Sequence, residues 1–334
     1  MTPYPVPLCP RPCRICIDDR KVMDMGKIIV AGSIAYDHLM EFPGYFSEMI
    51  IADSIDKLNV SFLVKSLKKV RGGTAPNIAY NLALIGLEAE ILGTAGSDFG
   101  SYRQWLEENG VGTSLVRIRE DDFTASCFIN TDLSGNQITA FYPGAMAYDV
   151  RISMREIPMD DTSMVIIAPT EPAAISKWCD ELQRIGIPYL YDAGMQIPRL
   201  APEDLVKGIL GAKIAIFNEY EYAMMRKKTG LTMGDILARV EIVVITLGEK
   251  GSELRTKSET VRVPAARPVR VVDPTGAGDA YRAGLLKGYF EGASLETMGR
   301  YASVSAVYAV EHRGATEHRY TLEEFYARYR ENYE

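Results

Sequence analysis

The residues with the clearest chemical potential lie in one short segment, Asp273–Ala280 (DPTGAGDA). An apolar run ends at Val272 and a helical pattern follows, so we expect the segment to join a strand to a helix. Its small residues let the backbone approach a ligand closely. The amides of Gly276, Ala277 and Gly278 at the helix start would then bind an anion, helped by the helix dipole.

Asp279 falls in the first turn of this helix, beside the anion site. A carboxylate with an ordinary pKa near ~3.9 is ionised at neutral pH and accepts a proton from an attacking hydroxyl. Phosphoryl transfer needs such a base next to donors for the phosphoryl oxygens. Asp279 is therefore the predicted catalytic base. The alternative is that Asp279 only caps the helix and the glycines only form a turn.

Two further segments offer groups that suit a polyol. Gly72 and Gly73 precede a helical pattern and permit close backbone approach, while Asn77 in its first turn supplies a donor and an acceptor. Asp37 follows the first predicted strand, and ligands of open α/β sheets bind at the carboxyl ends of strands. A carboxylate there accepts two hydrogen bonds from a vicinal diol. An ordinary loop and helix cap is the alternative interpretation of the glycine pair.

The elements that must position these residues alternate along the chain. Apolar runs predict buried strands and apolar residues at helical spacing predict helices between them, which is typical of a parallel sheet covered on both faces. The predicted strands are 27–32, 88–94, 164–168, 187–191, 213–217 and 241–246. The predicted helices are 74–85, 102–109, 171–185, 203–210, 219–229, 276–290, 294–311 and 321–332.

Residues 26–334 are predicted to form one α/β domain with a small second sheet. Two β-rich insertions, about 36–70 and 123–143, would build that sheet, and the second contains a hairpin signal. We expect it to act as a lid, because phosphoryl transfer requires water to be kept out. Residues 1–25 are predicted to be a disordered leader. Its three cysteines, Cys9, Cys13 and Cys16, leave a metal site as the weaker alternative.

The composition excludes several function classes. The chain has 334 residues and a formal charge of −7, and an acidic chain without a basic block binds nucleic acid poorly. No apolar run reaches the ~18–20 residues that span a bilayer. Five cysteines, an odd number without regular spacing, do not indicate a disulfide framework. We therefore predict a cytoplasmic protein with no nucleic-acid or membrane partner.

The DPTGAGD segment resembles the C-terminal signature of the PfkB or ribokinase-like carbohydrate and nucleoside kinases. This resemblance implies a three-layer α/β/α ribokinase-like fold with a mainly parallel sheet and a small β-sheet lid. It implies the base for Asp279 and the anion hole for the amides of Gly276–Gly278. By the same resemblance, Gly72, Gly73 and Asn77 hold substrate hydroxyls, and Asp37 binds the sugar.

Further similarities to this family concern the nucleotide. Asn218 and Glu221 resemble its N-x-x-E motif, which organises Mg²⁺ and its waters, although a helix cap explains the pair equally well. Thr246, Gly248 and Gly251 resemble the segment that lies along ATP, and 313–316 resembles a loop beside the site. The implied cofactors are ATP and Mg²⁺. A monovalent cation such as K⁺ at Asp273 and Thr275 is a weaker implication.

The acceptor is a small molecule whose class the lid should decide. Residues 124–146 resemble the nucleoside-kinase branch, including prokaryotic adenosine kinases, and Arg282 favours that branch. A purine needs a flat apolar slot, which Phe128 and Phe141 would border with Tyr142 and Met146. The predicted reaction is phosphorylation of the 5′-hydroxyl of adenosine or a related nucleoside. A sugar kinase and a non-catalytic nucleoside-binding protein are the alternatives, as monomer or homodimer.

Overall fold

The computed structural model of the chain describes residues 26–50, 56–57 and 59–334. The predicted leader, residues 1–25 with its three cysteines, lies outside these ranges, so that prediction stands as made. Throughout the described part of the chain, no helix is both long enough and apolar enough to cross a membrane.

Strands and helices alternate along most of the chain. The strands are β1 Lys27–Ala31, β2 Ala35–Glu41, β3 Ser66–Gly72, β4 Ala89–Gly96, β5 Val111–Gly112, β6 Val116–Arg119, β7 Ala125–Thr131, β8 Gln137–Tyr142, β9 Thr162–Ile167, β10 Tyr189–Tyr191, β11 Ile214–Asn218, β12 Ile242–Thr246, β13 Ser252–Arg255 and β14 Thr260–Val263. The helices are α1 Phe46–Met49, α2 Thr74–Leu84, α3 Gly100–Glu108, α4 Pro172–Ile185, α5 Pro202–Leu210, α6 Glu219–Thr229, α7 Met233–Leu237, α8 Ala277–Phe290, α9 Leu295–Val310 and α10 Leu322–Tyr333.

Ten strands form a mainly parallel central sheet in the order β14-β13-β12-β11-β10-β9-β1-β4-β5, with β6 also paired to β4. Among the described strands of this sheet only the β12–β13 and β13–β14 pairings are antiparallel, so β13 alone runs against the others. Parallel strands need crossover connections, and helices provide them between β9 and β12. The carboxyl ends of β10, β11 and β12 therefore lie side by side along one edge of the sheet.

Helices cover both faces of this sheet, because the strands carry apolar side chains on both of their faces. In β1, Ile28 and Val30 enter a core with residues of α2, α8 and α9, whereas Ile29 and Ala31 enter a core with residues of α4, α5 and α6. The predicted three-layer α/β/α fold is confirmed.

The predicted small sheet is also present. It has four strands in the order β3-β2-β7-β8, and β2 pairs antiparallel with β3 and parallel with β7. Asp37 is the third residue of β2, so it belongs to this sheet and not to the loop after β1, as the sequence had suggested. The chain turns within residues 32–34 and re-enters a strand at once.

The prediction of a strand that ends at Val272 was wrong. Residues 264–275 contain no strand, and the side chain of Val271 is 72% exposed. Pro264, Pro268 and Pro274 interrupt this stretch, and proline offers no backbone donor to a strand partner. The glycine-rich turn therefore enters α8 from an extended loop rather than from the sheet.

Candidate active site

The loop that leads into α8 is shaped by its neighbours. Gly276 has a φ of +80° and sits immediately before the helix. A β-carbon at this position would lie 2.5 Å from the β-carbon of Ala315, so both conformation and space require glycine. The turn is thus held against the segment after α9, and Asp279 follows in the first helical turn.

Three amides of this turn lack a partner among the residues that the structure describes: those of Gly276, Gly278 and Asp279. The amide of Ala277 donates to the carbonyl of Pro274 at 3.2 Å. This differs from the prediction, which assigned Ala277 to the anion site together with the two glycines. The tight turn before the helix requires that internal bond. The free N–H groups at the start of a 14-residue helix still form an anion-binding arrangement.

Asp279 is only partly exposed, and one neighbour fixes its carboxylate. The side-chain amide of Asn77 donates to Asp279 Oδ2 at 2.9 Å. Burial raises the pKa of Asp279 to about 6, against the opposing effects of the Arg282 charge and the Asn77 hydrogen bond. Asn77 is 7% exposed, and its Oδ1 has no partner within the described ranges. The arrangement offers a proton acceptor and, beside it, an unused hydrogen-bond acceptor.

The connection from β3 to α2 brings a second carboxylate to this place. Gly73, with a φ of +90°, separates the strand from the helix, and a β-carbon there would lie 2.5 Å from the carbonyl oxygen of Ser33. A β-carbon on Gly72 would lie 2.7 Å from an oxygen of Asp37. Burial raises the pKa of Asp37 to about 6. Gly72 thus lies against Asp37, while Asn77 in the following helix contacts Asp279.

Arg282 is buried, and it lies one helical turn after Gly278, the residue that precedes Asp279. Its Nε donates to Asp192 and its Nη1 donates to the carbonyl of Gly278 at 2.6 Å. The prediction placed Arg282 at the substrate. In the structure its guanidinium is held against a carboxylate and the start of α8.

Sequence reasoning missed Asp192. It directly follows β10, is 2% exposed, and its Oδ1 has no partner within the described part of the chain. The available signal was an acid at the carboxyl end of a buried strand, the same signal that had singled out Asp37.

The predicted nucleotide residues lie at the ends of the next two strands. Asn218 ends β11 and Thr246 ends β12, and the two residues are register partners. Asn218 Oδ1 accepts from the amide of Glu221 and Glu221 Oε2 accepts from the amide of Asn218, both at 2.8 Å. The pair is therefore a capping box for α6. Burial raises the pKa of Glu221, and the nearby charge of Asp192 adds to the increase.

Gly248 and Gly251 lie in the turn between β12 and β13. The amide of Gly251 donates to the carbonyl of Gly248 at 3.0 Å. A β-carbon on Gly248 would have no neighbour within 4 Å, so this part of the turn faces open space. The turn therefore forms an accessible rim at the carboxyl edge of the sheet.

Asp273 and Thr275 serve the loop before α8. Asp273 accepts from the amides of Thr275 at 2.9 Å and Gly314 at 3.0 Å. Burial alone would raise the pKa of Asp273, but these hydrogen bonds keep it below its usual value. The described residues contain no group of three or more His, Cys, Asp or Glu side chains arranged to hold a metal. The monovalent cation remains a prediction.

The two phenylalanines predicted to border the base lie on opposite faces of the small sheet. Asp37 pairs with Cys127, and Cys127 pairs with Phe141, so these three side chains share one face. Phe128 faces the other way and stacks on His38 with the ring centroids 4.5 Å apart. Successive side chains of a strand point to opposite faces, so the neighbours Cys127 and Phe128 cannot share a face of β7. Phe141, but not Phe128, therefore faces the side that carries Asp37.

The other two residues expected near a base are also placed by the small sheet. Tyr142 shares the face of Phe128, and its hydroxyl donates to Asp122 at 2.7 Å. Met146 is buried in a small cluster with Ala35 and Ala125. Tyr142 therefore faces away from Phe141, and Met146 is almost fully buried.

Two surface concavities formed by the described residues do not contain Asp279. One, of about 560 Å³, lies beside α4 and α5, and Lys177, Asp180 and Glu181 line it. The other, of about 390 Å³, lies behind β3 and is lined by Lys69 and Arg71 among others. In the second concavity Lys69 pairs with Asp98 and Arg71 pairs with Glu317. The candidate site is instead where the start of α8 meets α2, which the hydrogen bond between Asn77 and Asp279 joins.

Comparison with known proteins agrees with this geometry. The model of the pfkB family of carbohydrate kinases matches residues 35–321. A nucleoside kinase from Methanocaldococcus jannaschii is 29% identical over 292 residues, which is 87% of this chain and 92% of that protein. A probable fructokinase-5 from Arabidopsis thaliana is 27% identical over 285 residues, 78% of this chain and 83% of that one.

Solved structures give the same result. The nucleoside kinase of Burkholderia thailandensis in complex with inosine is 36% identical with a TM-score of 0.81, covering 91% of this chain and 97% of that one. The same enzyme in complex with ADP-inosine has a TM-score of 0.80 at 36% identity, covering 92% and 96% of the two chains. The present chain belongs to the pfkB family of carbohydrate kinases, and it is a kinase that transfers phosphate from ATP to an alcohol group of a nucleoside or sugar.

Proposed function

We propose that this kinase phosphorylates the 5′-hydroxyl of adenosine or a related nucleoside. The observation that carries the proposal is the start of α8, where Asp279 follows the amides of Gly276 and Gly278, which have no partner among the described residues. A base for the attacking hydroxyl and donors for the transferring phosphoryl group are thereby within one helical turn.

In this proposal Asp279 accepts the proton of the 5′-hydroxyl as that oxygen attacks the γ-phosphorus of ATP. The bond from oxygen to phosphorus forms while the bond to the departing ADP oxygen breaks. The amides of Gly276 and Gly278, at the positive end of the helix dipole, stabilise the charge on the phosphoryl oxygens. The Asn77 hydrogen bond keeps the carboxylate of Asp279 oriented toward the acceptor.

Asp37 and Asn77 are proposed to hold the ribose. Asp37 is a carboxylate with no donor paired to it among the described residues, and Asn77 Oδ1 is buried without a partner. Both accept hydrogen bonds, and a vicinal diol supplies two donors. Gly72 permits the ribose to approach the backbone, since its missing side chain leaves the Asp37 oxygens accessible.

The nucleotide end of the site is proposed to lie along the carboxyl ends of β10, β11 and β12. Glu221, with one oxygen outside its capping box, and Asp192, with Oδ1 unpaired, are hard oxygen ligands that fit Mg²⁺ or its waters. When bound, Mg²⁺ neutralises phosphate charge. Thr246, Gly248 and Gly251 form the rim along which ATP would lie.

The small sheet is proposed to cover the nucleoside, with Phe141 against the base. Phe141 is 50% exposed on the face that carries Asp37. A planar base can stack face to face on an aromatic ring, which favours a nucleoside over a free sugar. The similarity to nucleoside kinases supports the same choice, while the similarity to a probable fructokinase-5 leaves a sugar kinase as the second candidate.

A substrate panel tests the proposal. ADP formation is measured with ATP and Mg²⁺ in the presence of adenosine, inosine, guanosine, cytidine, ribose or fructose. We expect at least about tenfold higher kcat/KM for a purine nucleoside than for a free sugar, because only the nucleoside has a base that can stack on Phe141. Phosphorus NMR of the product should identify a 5′-monophosphate. Turnover of free sugars alone would overturn the nucleoside assignment.

A further inference from the structure

A buried histidine near the C-terminus points toward the active site through two asparagines. His318 is fully buried, and its Nε2 lies 2.8 Å from Asn81 Oδ1. Asn81 is also fully buried and lies on α2, one turn after Asn77. No residue of the proposed mechanism touches His318, so its polar contact requires another explanation.

The direction of the hydrogen bonds follows from the groups themselves. Asn81 Nδ2 donates to the main-chain carbonyl of Asn77 at 2.9 Å, and a carbonyl only accepts. The Asn81 amide therefore turns its oxygen to His318, and Nε2 of His318 must carry the proton. Asn77 Nδ2 in turn donates to Asp279 Oδ2. Every donor in this series points from His318 toward the catalytic carboxylate.

The surroundings keep His318 in this form. The hydroxyl of Tyr80 donates to the carbonyl of His318 at 2.6 Å and fixes the backbone. The other ring nitrogen, Nδ1, has no partner in the described part of the chain. The titratable rings packed against His318 are those of Tyr80, His312 and Tyr320, and none of them carries a carboxylate. Burial, assisted by His312, lowers the pKa of His318 to about 4, so the ring is neutral near neutral pH.

We propose that His318 is a positioning residue for the phosphotransfer reaction: through Asn81 it fixes the first turns of α2 and thereby holds the Asn77 amide against Asp279. This inference rests on the proposed function, in which Asp279 is the base. Without the Nε2 donor, Asn81 Oδ1 would be buried without a partner, and Asn81 would move to find one. The turn that carries Asn77 would relax with it, and Asp279 would lose part of its orientation.

Methionine and glutamine provide a matched pair of replacements, since both have similar length but only glutamine carries a terminal N–H. We expect His318→Met to lower kcat about five- to tenfold with the KM for ATP unchanged. The acidic limb of the kcat profile should rise by about half a pH unit, because a weaker Asn77 hydrogen bond favours protonated Asp279. His318→Gln should restore both values to within about twofold of the wild type.

A double-substitution cycle separates positioning from general packing. If His318 acts through Asn77, His318→Met should have no further effect on kcat in an Asn77→Ala background. Circular dichroism and thermal unfolding establish that each variant is folded. Should His318→Met fail to fold, Asn81→Leu, which removes the same link, carries the same expectation.

The possible outcomes distinguish a failure of this inference from a failure of the proposed function. An active wild type with equal kcat for His318→Met and His318→Gln would refute the role of His318 alone. Additive losses in the cycle would also refute it, because they would show independent effects. A wild type without phosphotransfer to any nucleoside or sugar would refute the proposed function, and this inference with it.

Discussion

At the scale of single residues, the chemistry depends on how Asp279 balances opposing influences. Burial pushes its pKa upward, while the Arg282 charge and the hydrogen bond from Asn77 pull it down. The resulting pKa of about 6 leaves the carboxylate mostly ionised at pH 7 but more basic than an exposed aspartate. A base of this strength accepts a hydroxyl proton more readily. Arg282 and Asp192 therefore set the charge environment of the proposed base.

Replacing the base tests its role directly. Asp279→Asn keeps the size of the side chain and removes the proton acceptor, so kcat should fall by at least ~10² with the fold intact. Steady-state ADP release measures kcat, and Asp160→Asn, at an exposed acid before β9, serves as the control. A variant of Asp279 with near-normal turnover would remove this residue from the mechanism.

The pH dependence follows from two raised pKa values. Asp279 and Asp37 both have a pKa of about 6 in the free protein, so both carboxylates become protonated as the pH falls below that value. We expect kcat/KM for the nucleoside to be level near pH 7.5 and to fall below pH ~6, with a slope between one and two per pH unit. A profile that stays flat to pH 5 would contradict the assignment of both acids.

At the scale of elements, the turn before α8 depends on a glycine that nothing else can replace. Gly276→Ala introduces a β-carbon at a φ of +80° and against Ala315. We expect a loss of about 1–3 kcal/mol in unfolding free energy and at least a tenfold loss in kcat, since the amides move. Gly292→Ala is the matched control, because Gly292 has a φ of +65° but open space around it. Urea titration and ADP release measure the two effects, and equal behaviour of both variants would contradict the account.

The small sheet offers another internal control, because its two exposed phenylalanines occupy opposite faces. Phe141→Ala should raise the KM for the nucleoside about three- to tenfold, the range expected for losing one aromatic stacking contact. Phe128→Ala, on the opposite face at 39% exposure, should leave that KM unchanged. Nucleoside saturation curves at fixed ATP give both values. An equal effect of both substitutions would show that the sheet does not cover the substrate by this face.

At the scale of the whole molecule, the alternating elements and the local motif at Asp279 were predictable from the sequence. Helix starts and strand runs leave a local pattern, and Gly276 to Asp279 are neighbours in the chain. The faces of the small sheet that Phe128 and Phe141 occupy depend on the register between β7 and β8. The presence of aromatic residues in the sequence does not reveal that register. Asp192 was missed because its partner Arg282 is 90 positions away. The internal bond of Ala277 depends on turn geometry, which the letters alone do not fix.

The hydrogen bond between Asn77 and Asp279 joins residues that are 202 positions apart. Such a contact closes a very long loop, and long-range contacts form late because their entropy must be overcome first. Recovery of enzymatic turnover after dilution from denaturant should therefore follow the slowest refolding phase, and not the early return of helical signal. Enzymatic turnover would therefore report the completion of folding.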